Sequence, residues 1–402
     1  MTEAATAAWL RGRLWLGWTG ALTWVVWLGS LALGGWTRDN EGMLLCADHI
    51  AFYSAARLVN DGRQADLYDT GAVHQLQQEL TGGTWPYFMA YRNPPFYALL
   101  YTPTARLPLP ASALVWSAVG LAAFGFAVWC LRPRRPWRVV AWGLAFYPVF
   151  ATISFGQNTL LSMAVFAAVY RLRTDGRPFS AGLAAGLLWY KPQLLIGLFV
   201  WWAFAPRRHA LCWVGVAVTG LALADLCGLA LPAASWAFVD TLRNNIAYGG
   251  EEGWNKHSPR VFWTLLLPGA PPAVVWSLTA ACSLVALGAA WRVARRTGGD
   301  IAAMFPAAVF LSLWVSPHAL IYEWALLVPT AVVLWERFPD RREAWLCLFV
   351  PAWVALGVST PLCLVQIREL RWPVAVQVSI PVMGVVGWRA ARVLERSRGA
   401  PG

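Results

Sequence analysis

Apolar residues fill most of this 402-residue chain in long runs that short polar segments separate. A run of ~20 apolar residues is long enough for a helix to cross a bilayer. Single runs predict six spans, at 14–36, 111–131, 210–232, 272–291, 344–363 and 372–388. Three longer runs predict helical hairpins, at 138–170, 179–206 and 301–335. The pattern therefore predicts an all-α membrane protein of about 12 spans, in which 1–402 form one integral membrane domain.

Arginines cluster in the polar junctions between these runs. The clusters lie at 11–13, 132–138, 171–177, 207–208, 292–296, 337–342 and 389–398. Such clusters are expected on the cytoplasmic side, and an even number of predicted spans separates each consecutive pair. We therefore expect both termini in the cytoplasm and the first span to be retained, not cleaved as a signal peptide. The segments 37–95 and 233–271 and the three hairpin tips are then extracytoplasmic.

Composition supports this class of protein and excludes several others. The chain is 58% hydrophobic and 13% charged, with mean hydropathy +0.50, too apolar for a soluble domain of this size. The net charge of +12 lies mainly at span ends, so it predicts contact with membrane lipids and not with nucleic acid. The seven cysteines form no CxxC or Cys/His cluster, which argues against zinc, iron–sulfur and disulfide sites. No cofactor is predicted. A bound divalent metal is compatible with the sequence, but no visible cluster would hold one.

The first outer segment, 37–95, is the longest polar stretch and carries several acidic residues. Its pattern predicts a helix over 48–60, a second around 74–80, and an aromatic loop after Gly82 and Gly83. Asp48 stands at the start of the first helix. It is either an N-cap on an interfacial amphipathic helix or a carboxylate poised as a base.

Other polar residues fall near the outer ends of the predicted spans. Arg92 in YRNPP is either an interfacial arginine or a phosphate ligand. Lys191 in YKPQ has no acidic neighbour in sequence, so its counter-ion is either an outer headgroup or a bound phosphate. FGQN (155–158) is either a simple turn or part of the site. His318 and Glu323 in SPHALIYE are either packing residues or assistants to the chemistry. Several charges at one depth indicate a shared polar cavity that opens outward.

Six motifs in order resemble one family. They are D-x4-Y from Asp48, G-x4-LYD from Gly62, F-x2-YRNPPFYALL, FGQN-x-LL, AGLAAGLLWYKPQLL and SPHALIYEWALL. Together they span about 45–330 and resemble glycosyltransferase family 87, the DUF2029-type branch of the GT-C superfamily. This branch includes polyprenol-phosphate-mannose-dependent mannosyltransferases.

The resemblance implies a GT-C fold in a bacterial cytoplasmic membrane and a role in building cell-envelope glycans. It implies inverting transfer of mannose or another sugar from a polyprenyl-phosphate donor to a lipid, glycan or protein acceptor. Asp48 then matches the catalytic base. Such a transfer also needs positive charge around the departing phosphate, and Arg92 and Lys191 are the residues expected to bind it. The remaining candidates would contact the substrates or support those contacts: His49, Tyr53, Tyr68, Tyr91, Asn93, Gln157, Asn158, Gln193, His318, Tyr322 and Glu323. The resemblance leaves open whether His318 or Glu323, both of which follow Ser316-Pro317, assists catalysis.

Two other classes compete with a transferase. A transporter or lipid flippase should show inverted repeats and charges near the bilayer midplane. A binding protein without chemistry would use the outer segment only to dock a partner. The sequence shows no repeat, and its charges gather toward one face, which favours the enzyme.

Overall fold

The computed structural model describes residues 3–244 and 253–396. These residues form α-helices joined by turns and short 3₁₀ segments, and none of them forms a strand of a sheet. The helices in chain order are α1 Glu3–Leu33, α2 His49–Asn60, α3 Thr70–Thr81, α4 Pro95–Leu99, α5 Leu109–Leu131, α6 Pro136–Ala145, α7 Tyr147–Ser154, α8 Thr159–Thr174, α9 Pro178–Gly186, α10 Leu195–Ala203, α11 Pro206–Ala230, α12 Pro232–Asn244, α13 Pro259–Leu266, α14 Pro272–Thr297, α15 Ile301–Val315, α16 Leu327–Arg337, α17 Arg342–Leu364 and α18 Ser379–Glu395. The all-α class predicted from the sequence is confirmed for this part of the chain.

Five segments among the described residues are long and apolar enough to cross a membrane. They are Leu14–Leu33, Leu109–Leu131, Arg207–Ala230, Pro272–Thr297 and Pro339–Glu369. Other crossings would have to use shorter helices, such as Ile301–Val315. The total of about 12 spans therefore stays a prediction, as do the sides of the membrane on which 37–95 and 233–271 lie.

Each of the three predicted hairpins is a pair of helical legs broken at its expected tip. FGQN separates α7 from α8, and SPHALIYE lies between α15 and α16. YKPQ separates α9 from α10, with a 3₁₀ turn on each side of Lys191. Pro192 removes a backbone donor and restricts Lys191 to an extended conformation, which breaks the helix there.

The last predicted span is displaced along the chain. We expected it over 372–388, but α18 runs from Ser379 to Glu395. A π-turn over Val365–Glu369 ends the preceding helical stretch, and Arg371 has a positive φ of 48°. The apolar residues before Ser379 therefore belong to a connecting loop, which hydropathy alone does not separate from the helix.

The outer segment packs into the bundle through α2. Nine of the twelve residues of α2 are buried, including His49 and Tyr53. The helix contacts α3, α4 and α5. Because most of its surface is covered, α2 is a packed helix and not an amphipathic helix lying on the surface. Its burial holds the preceding residue, Asp48, against the bundle.

Candidate active site

The Asp48 carboxylate is held by the FGQN turn. Its Oδ2 accepts a hydrogen bond of 2.7 Å from the side-chain amide of Gln157, and its backbone N–H donates to the Phe155 carbonyl at 2.9 Å. The Asp48 side chain makes no capping hydrogen bond to α2, although it stands at the N-cap position. The carboxylate therefore faces the FGQN turn and not the end of its own helix.

The FGQN turn approaches Asp48 closely because its second residue is glycine. Gly156 has φ +71°, and a Cβ there would lie 2.6 Å from Cys46 Cβ and 2.9 Å from His49 Cβ. Contacts this short are forbidden, so only glycine allows the two segments to meet. Gly156 thus brings Gln157 within reach of Asp48.

The environment of Asp48 places its ionisation near neutral pH. Burial raises the pKa of Asp48 to about 6, while the Gln157 hydrogen bond and the Lys191 charge oppose that rise. Desolvation disfavours a charged carboxylate, whereas a donor and a nearby cation favour it. At neutral pH the group is mostly ionised yet basic enough to take a proton.

Lys191 and Glu323 form an ion pair inside the protein. The Lys191 Nζ lies 3.0 Å from Glu323 Oε1, and the two side chains are 12% and 2% exposed. Glu323 Oε2 is buried and has no hydrogen-bond partner among the described residues. The counter-ion that Lys191 lacks in sequence is thus supplied by a carboxylate 132 positions away.

Tyr322 lies where the hairpin tips meet. The Lys191 ammonium is 5.5 Å from the centre of its ring, and Phe155 packs against it with ring centres 6.4 Å apart. The Thr152 hydroxyl on α7 donates to the Tyr322 carbonyl at 3.3 Å. The Tyr322 hydroxyl is within electrostatic range of Asp48 and Arg92. Tyr322 therefore connects Asp48, Lys191 and Arg92 in one region of the molecule.

The YRNPP segment is bound to the YKPQ tip. The Asn93 side-chain amide donates to the Tyr190 carbonyl at 2.9 Å, and the Tyr68 hydroxyl donates to the Asn93 carbonyl at 2.6 Å. The Tyr91 hydroxyl donates to the Pro94 carbonyl at 2.9 Å. These bonds position the chain neighbours of Arg92 beside the chain neighbour of Lys191. The Arg92 side chain itself is exposed.

The remaining candidates lie in other surroundings. His49 is buried and bonded through Nε2 to Ser112 Oγ at 2.9 Å, and burial lowers its pKa to about 3. The buried Tyr53 donates to the Leu107 carbonyl at 2.8 Å. Asn158 is buried beside Tyr97. Gln193 is half-buried and His318 is exposed. The sequence left the assisting role open between His318 and Glu323, and it is Glu323 that contacts Lys191.

A strap over 253–258 was not singled out by the sequence. Its backbone pairs with the SPHALIYE loop through a bridge between Lys256 and Leu320, and His257 N–H donates to the Ala319 carbonyl at 2.6 Å. The Trp324 indole donates to the His257 carbonyl at 3.1 Å. The strap thus holds the loop that carries Tyr322 and Glu323. The sequence identified 233–271 only as a polar outer segment.

The His257 side chain fastens this strap to the C-terminal helices. Its Nδ1 is 2.7 Å from Ser379 Oγ, and its Nε2 is 2.9 Å from Thr360 Oγ1. Gln377 donates to the Lys256 carbonyl at 2.7 Å. A lone histidine in an outer segment gives no local signal of such contacts, because its partners lie more than 100 positions away.

No three metal-ligating His, Cys, Asp or Glu side chains come together in 3–244 and 253–396. Glu323 and Asp48 are instead compensated by lysine and an amide, as described above. The sequence-based expectation that no cofactor is required stays a prediction.

The fold and the polar cluster define a polytopic membrane protein with a carboxylate and cations held at its helix tips. A model of glycosyltransferase family 87 matches residues 91–317. The chain is also 27% identical over 340 residues to the polyprenol-phosphate-mannose-dependent alpha-(1-2)-phosphatidylinositol mannoside mannosyltransferase of Mycolicibacterium smegmatis. That alignment covers 76% of this chain and 73% of the relative. No solved structure matches the chain.

The family match covers more than half of the chain, and the chain belongs to glycosyltransferase family 87. It is a membrane glycosyltransferase. The matched range includes Arg92, Gln157 and Lys191, whereas Asp48 and Glu323 lie outside it. The hydrogen bond of Gln157 and the ion pair of Lys191 connect those two carboxylates to the matched region.

Proposed function

We propose that this protein transfers a sugar from a polyprenyl-phosphate donor to an acceptor hydroxyl on the extracytoplasmic face of the bacterial cytoplasmic membrane. Mannose is the sugar we favour, because the mycobacterial relative is named for polyprenol-phosphate-mannose. The acceptor is a lipid, a glycan or a protein. Both termini would lie in the cytoplasm, since the arginine-rich junctions favour that side.

The observation that carries this proposal is the pairing of Asp48 with Gln157 beside Lys191. A transferase needs a base for the acceptor hydroxyl and positive charge for the departing phosphate. Asp48 supplies a carboxylate that ionises near pH 6, and Gln157 keeps it oriented. Lys191 acts on Asp48 electrostatically, so a cation and the base belong to one site.

Asp48 removes the proton in a single displacement with inversion. The acceptor oxygen attacks the anomeric carbon as its proton passes to Asp48, and the bond from that carbon to the phosphate oxygen breaks. Its electron pair leaves with polyprenyl phosphate. Lys191 and Arg92 stabilise the growing negative charge on that group. No general acid is required, because the phosphate is already a good leaving group.

The remaining residues position these groups. Glu323 holds Lys191 at 3.0 Å before the donor arrives. Asn93 and Tyr68 hold the segment that carries Arg92. Tyr322 contributes a ring beneath the ammonium of Lys191. Asp48, Lys191 and Arg92 would thus contact the reacting groups, whereas the other residues would only position them.

The test is sugar transfer by purified, reconstituted protein from polyprenyl-phosphate mannose to a membrane lipid extract. Asp48→Asn should lose ~10²–10⁴-fold in kcat, the usual contribution of a general base. Asp66→Asn is the matched control, since Asp66 lies in the same outer segment and pairs with Arg63 on the surface. Full activity of Asp48→Asn would show that Asp48 is not the base. Loss of activity in both variants would indicate that the substitutions damage the outer segment 37–95.

A further inference from the structure

A cavity lies between helices outside the cluster of residues around Asp48. Its volume is about 950 Å³, and it is enclosed by α6 and by the helices α14 to α18. None of the residues proposed above for sugar transfer lines it. Bulky aromatic side chains, among them Trp142, Phe310, Trp353 and Trp388, form much of its wall.

Arginines surround one end of this cavity. Arg134, Arg135, Arg138 and Arg342 line it there, together with the single acidic residue Glu336. The Arg134 Nε lies 3.7 Å from Glu336 Oε2, so this pair largely cancels. Arg135 and Arg138 are exposed and have no carboxylate partner among the described residues. The mouth therefore keeps a net positive charge.

Arg342 is held in a particular orientation at this mouth. Its guanidinium lies 4.9 Å from the centre of the Trp335 ring, and both residues line the cavity. The buried Nε of Arg342 has no hydrogen-bond acceptor among the described residues. A buried donor without an acceptor is costly, and a planar guanidinium fits phosphate oxygens well. This donor indicates an anionic group at the mouth.

The depth of the cavity matches one leaflet. Its lining follows α16 from Leu327 to Glu336, and a helix rises 1.5 Å per residue, which gives roughly 15 Å. Half of a ~30 Å hydrocarbon core is the same length. The apolar part is thus long enough for acyl chains, and in the proposed topology the arginines would lie near the headgroup phosphates.

We propose that this cavity binds an anionic phospholipid of the cytoplasmic leaflet, with its acyl chains between α6, α16 and α18. Its headgroup phosphate contacts Arg135, Arg138 and Arg342. Basic pockets between membrane helices on the cytoplasmic side are known to bind anionic headgroups. The choice of leaflet rests on the proposed cytoplasmic position of the arginine-rich junctions. Lipid binding itself does not depend on sugar transfer.

The test is lipid retention by the full chain in detergent micelles, measured by native mass spectrometry. Phosphatidylglycerol and phosphatidylethanolamine with identical acyl chains are added in competition. The wild type should retain phosphatidylglycerol in preference. The triple variant Arg135→Gln/Arg138→Gln/Arg342→Gln should weaken that binding on the order of 100-fold. This is the combined effect of removing three arginines, each of which contributes about a fivefold gain in affinity for an anionic headgroup.

The matched control is Arg177→Gln/Arg207→Gln/Arg296→Gln, which removes the same charge from exposed arginines at junctions that do not line the cavity. It should retain phosphatidylglycerol as the wild type does. Equal loss in both triple variants, or equal retention of the two lipids by the wild type, would overturn the proposal.

A second variant tests the apolar part of the cavity and leaves every arginine in place. Ala331 on α16 lines the cavity, so Ala331→Phe should fill it and reduce retention. A photoactivatable phosphatidylglycerol should label α16 and α18 in the wild type and not in this variant. Labelling of these helices by photoactivatable polyprenyl phosphate instead would assign the cavity to the donor lipid and refute the proposal.

Discussion

Gln157 donates a 2.7 Å hydrogen bond to the Asp48 carboxylate across 109 positions of sequence. The bond joins the start of the first outer segment to the tip of a helical hairpin. It favours the ionised carboxylate, while burial favours the protonated one, and the pKa of Asp48 results at about 6. The reactivity of this carboxylate is thus set jointly by two distant segments.

The pH dependence of the wild type should report Asp48. The raised pKa means that the carboxylate is ionised above about pH 6 and protonated below it. Because the base must be ionised, kcat/KM should fall about tenfold per pH unit below that value and level off above it. The measurement is initial rates of transfer from pH 4.5 to 8.5 at low donor concentration. A flat profile across pH 5–7 would contradict this assignment.

Gln157→Met should move that acidic limb to higher pH. The substitution removes a donor to the charged form, so the pKa of Asp48 should rise above that of the wild type. Activity lost at pH 6.5 should partly return at pH 8.5. A role of Gln157 in packing alone would lower kcat at every pH and leave the midpoint in place.

Lys191→Gln should have two effects that arise from one charge. The pKa of Asp48 should rise, because the Lys191 charge lowers it, and the acidic limb should shift upward. The variant also leaves Glu323 buried without its cation, which typically costs ~3–5 kcal/mol of stability. Thermal unfolding in detergent and a pH–rate profile measure the two effects separately.

The double variant Lys191→Gln/Glu323→Gln is the control for stability. It removes both charges of the pair, so the melting temperature should recover toward the wild type while transfer stays impaired. Recovery of full activity together with stability would show that Lys191 serves only to neutralise Glu323.

Gly156→Ala should damage the site more than a comparable glycine substitution elsewhere. Gly156 and Gly176 have the same φ of +71°, so alanine is strained equally at both. Only at Gly156 would the added Cβ meet Cys46 and His49 at less than 3 Å, whereas nothing lies within 4 Å at Gly176. Gly176→Ala should cost ~1 kcal/mol and keep its activity. Gly156→Ala should unfold at lower temperature and lose most of its transfer activity. Equal behaviour of the two variants would refute the close approach.

His257→Ala should lower kcat as well as stability. The substitution leaves the Thr360 hydroxyl without its partner, leaves the Ser379 hydroxyl with Ser359 alone, and removes the contact of the strap with α17 and α18. Buried groups left unsatisfied cost ~1–3 kcal/mol each. His209→Ala is the comparison, because His209 is also buried but packs against Trp201, far in sequence from the strap. It should lower the melting temperature and leave kcat unchanged. Unchanged kcat in His257→Ala would show that the strap does not position the loop.

Local pattern predicted the features that depend on neighbouring residues. Hydropathy identified the apolar helices, and Pro192 and Gly156 marked hairpin tips that the structure shows as breaks between helices. Turn residues and apolar runs act within a few positions, so one segment contains their whole signal. The prediction was wrong over 372–378, where residues expected to begin the last span form a loop before α18.

The sequence by itself determined the all-α membrane class, the residues at the hairpin tips and the resemblance to family 87. It left Asp48 between a helix cap and a base, and it left Lys191 without a partner. Only the tertiary structure joined Asp48 to Gln157 and Lys191 to Glu323. Those contacts cross more than 100 positions, and they depend on how the helix pairs pack, which no local pattern of hydrophobic and polar residues encodes. The strap at His257 was decided in the same way, by packing between segments far apart in the chain.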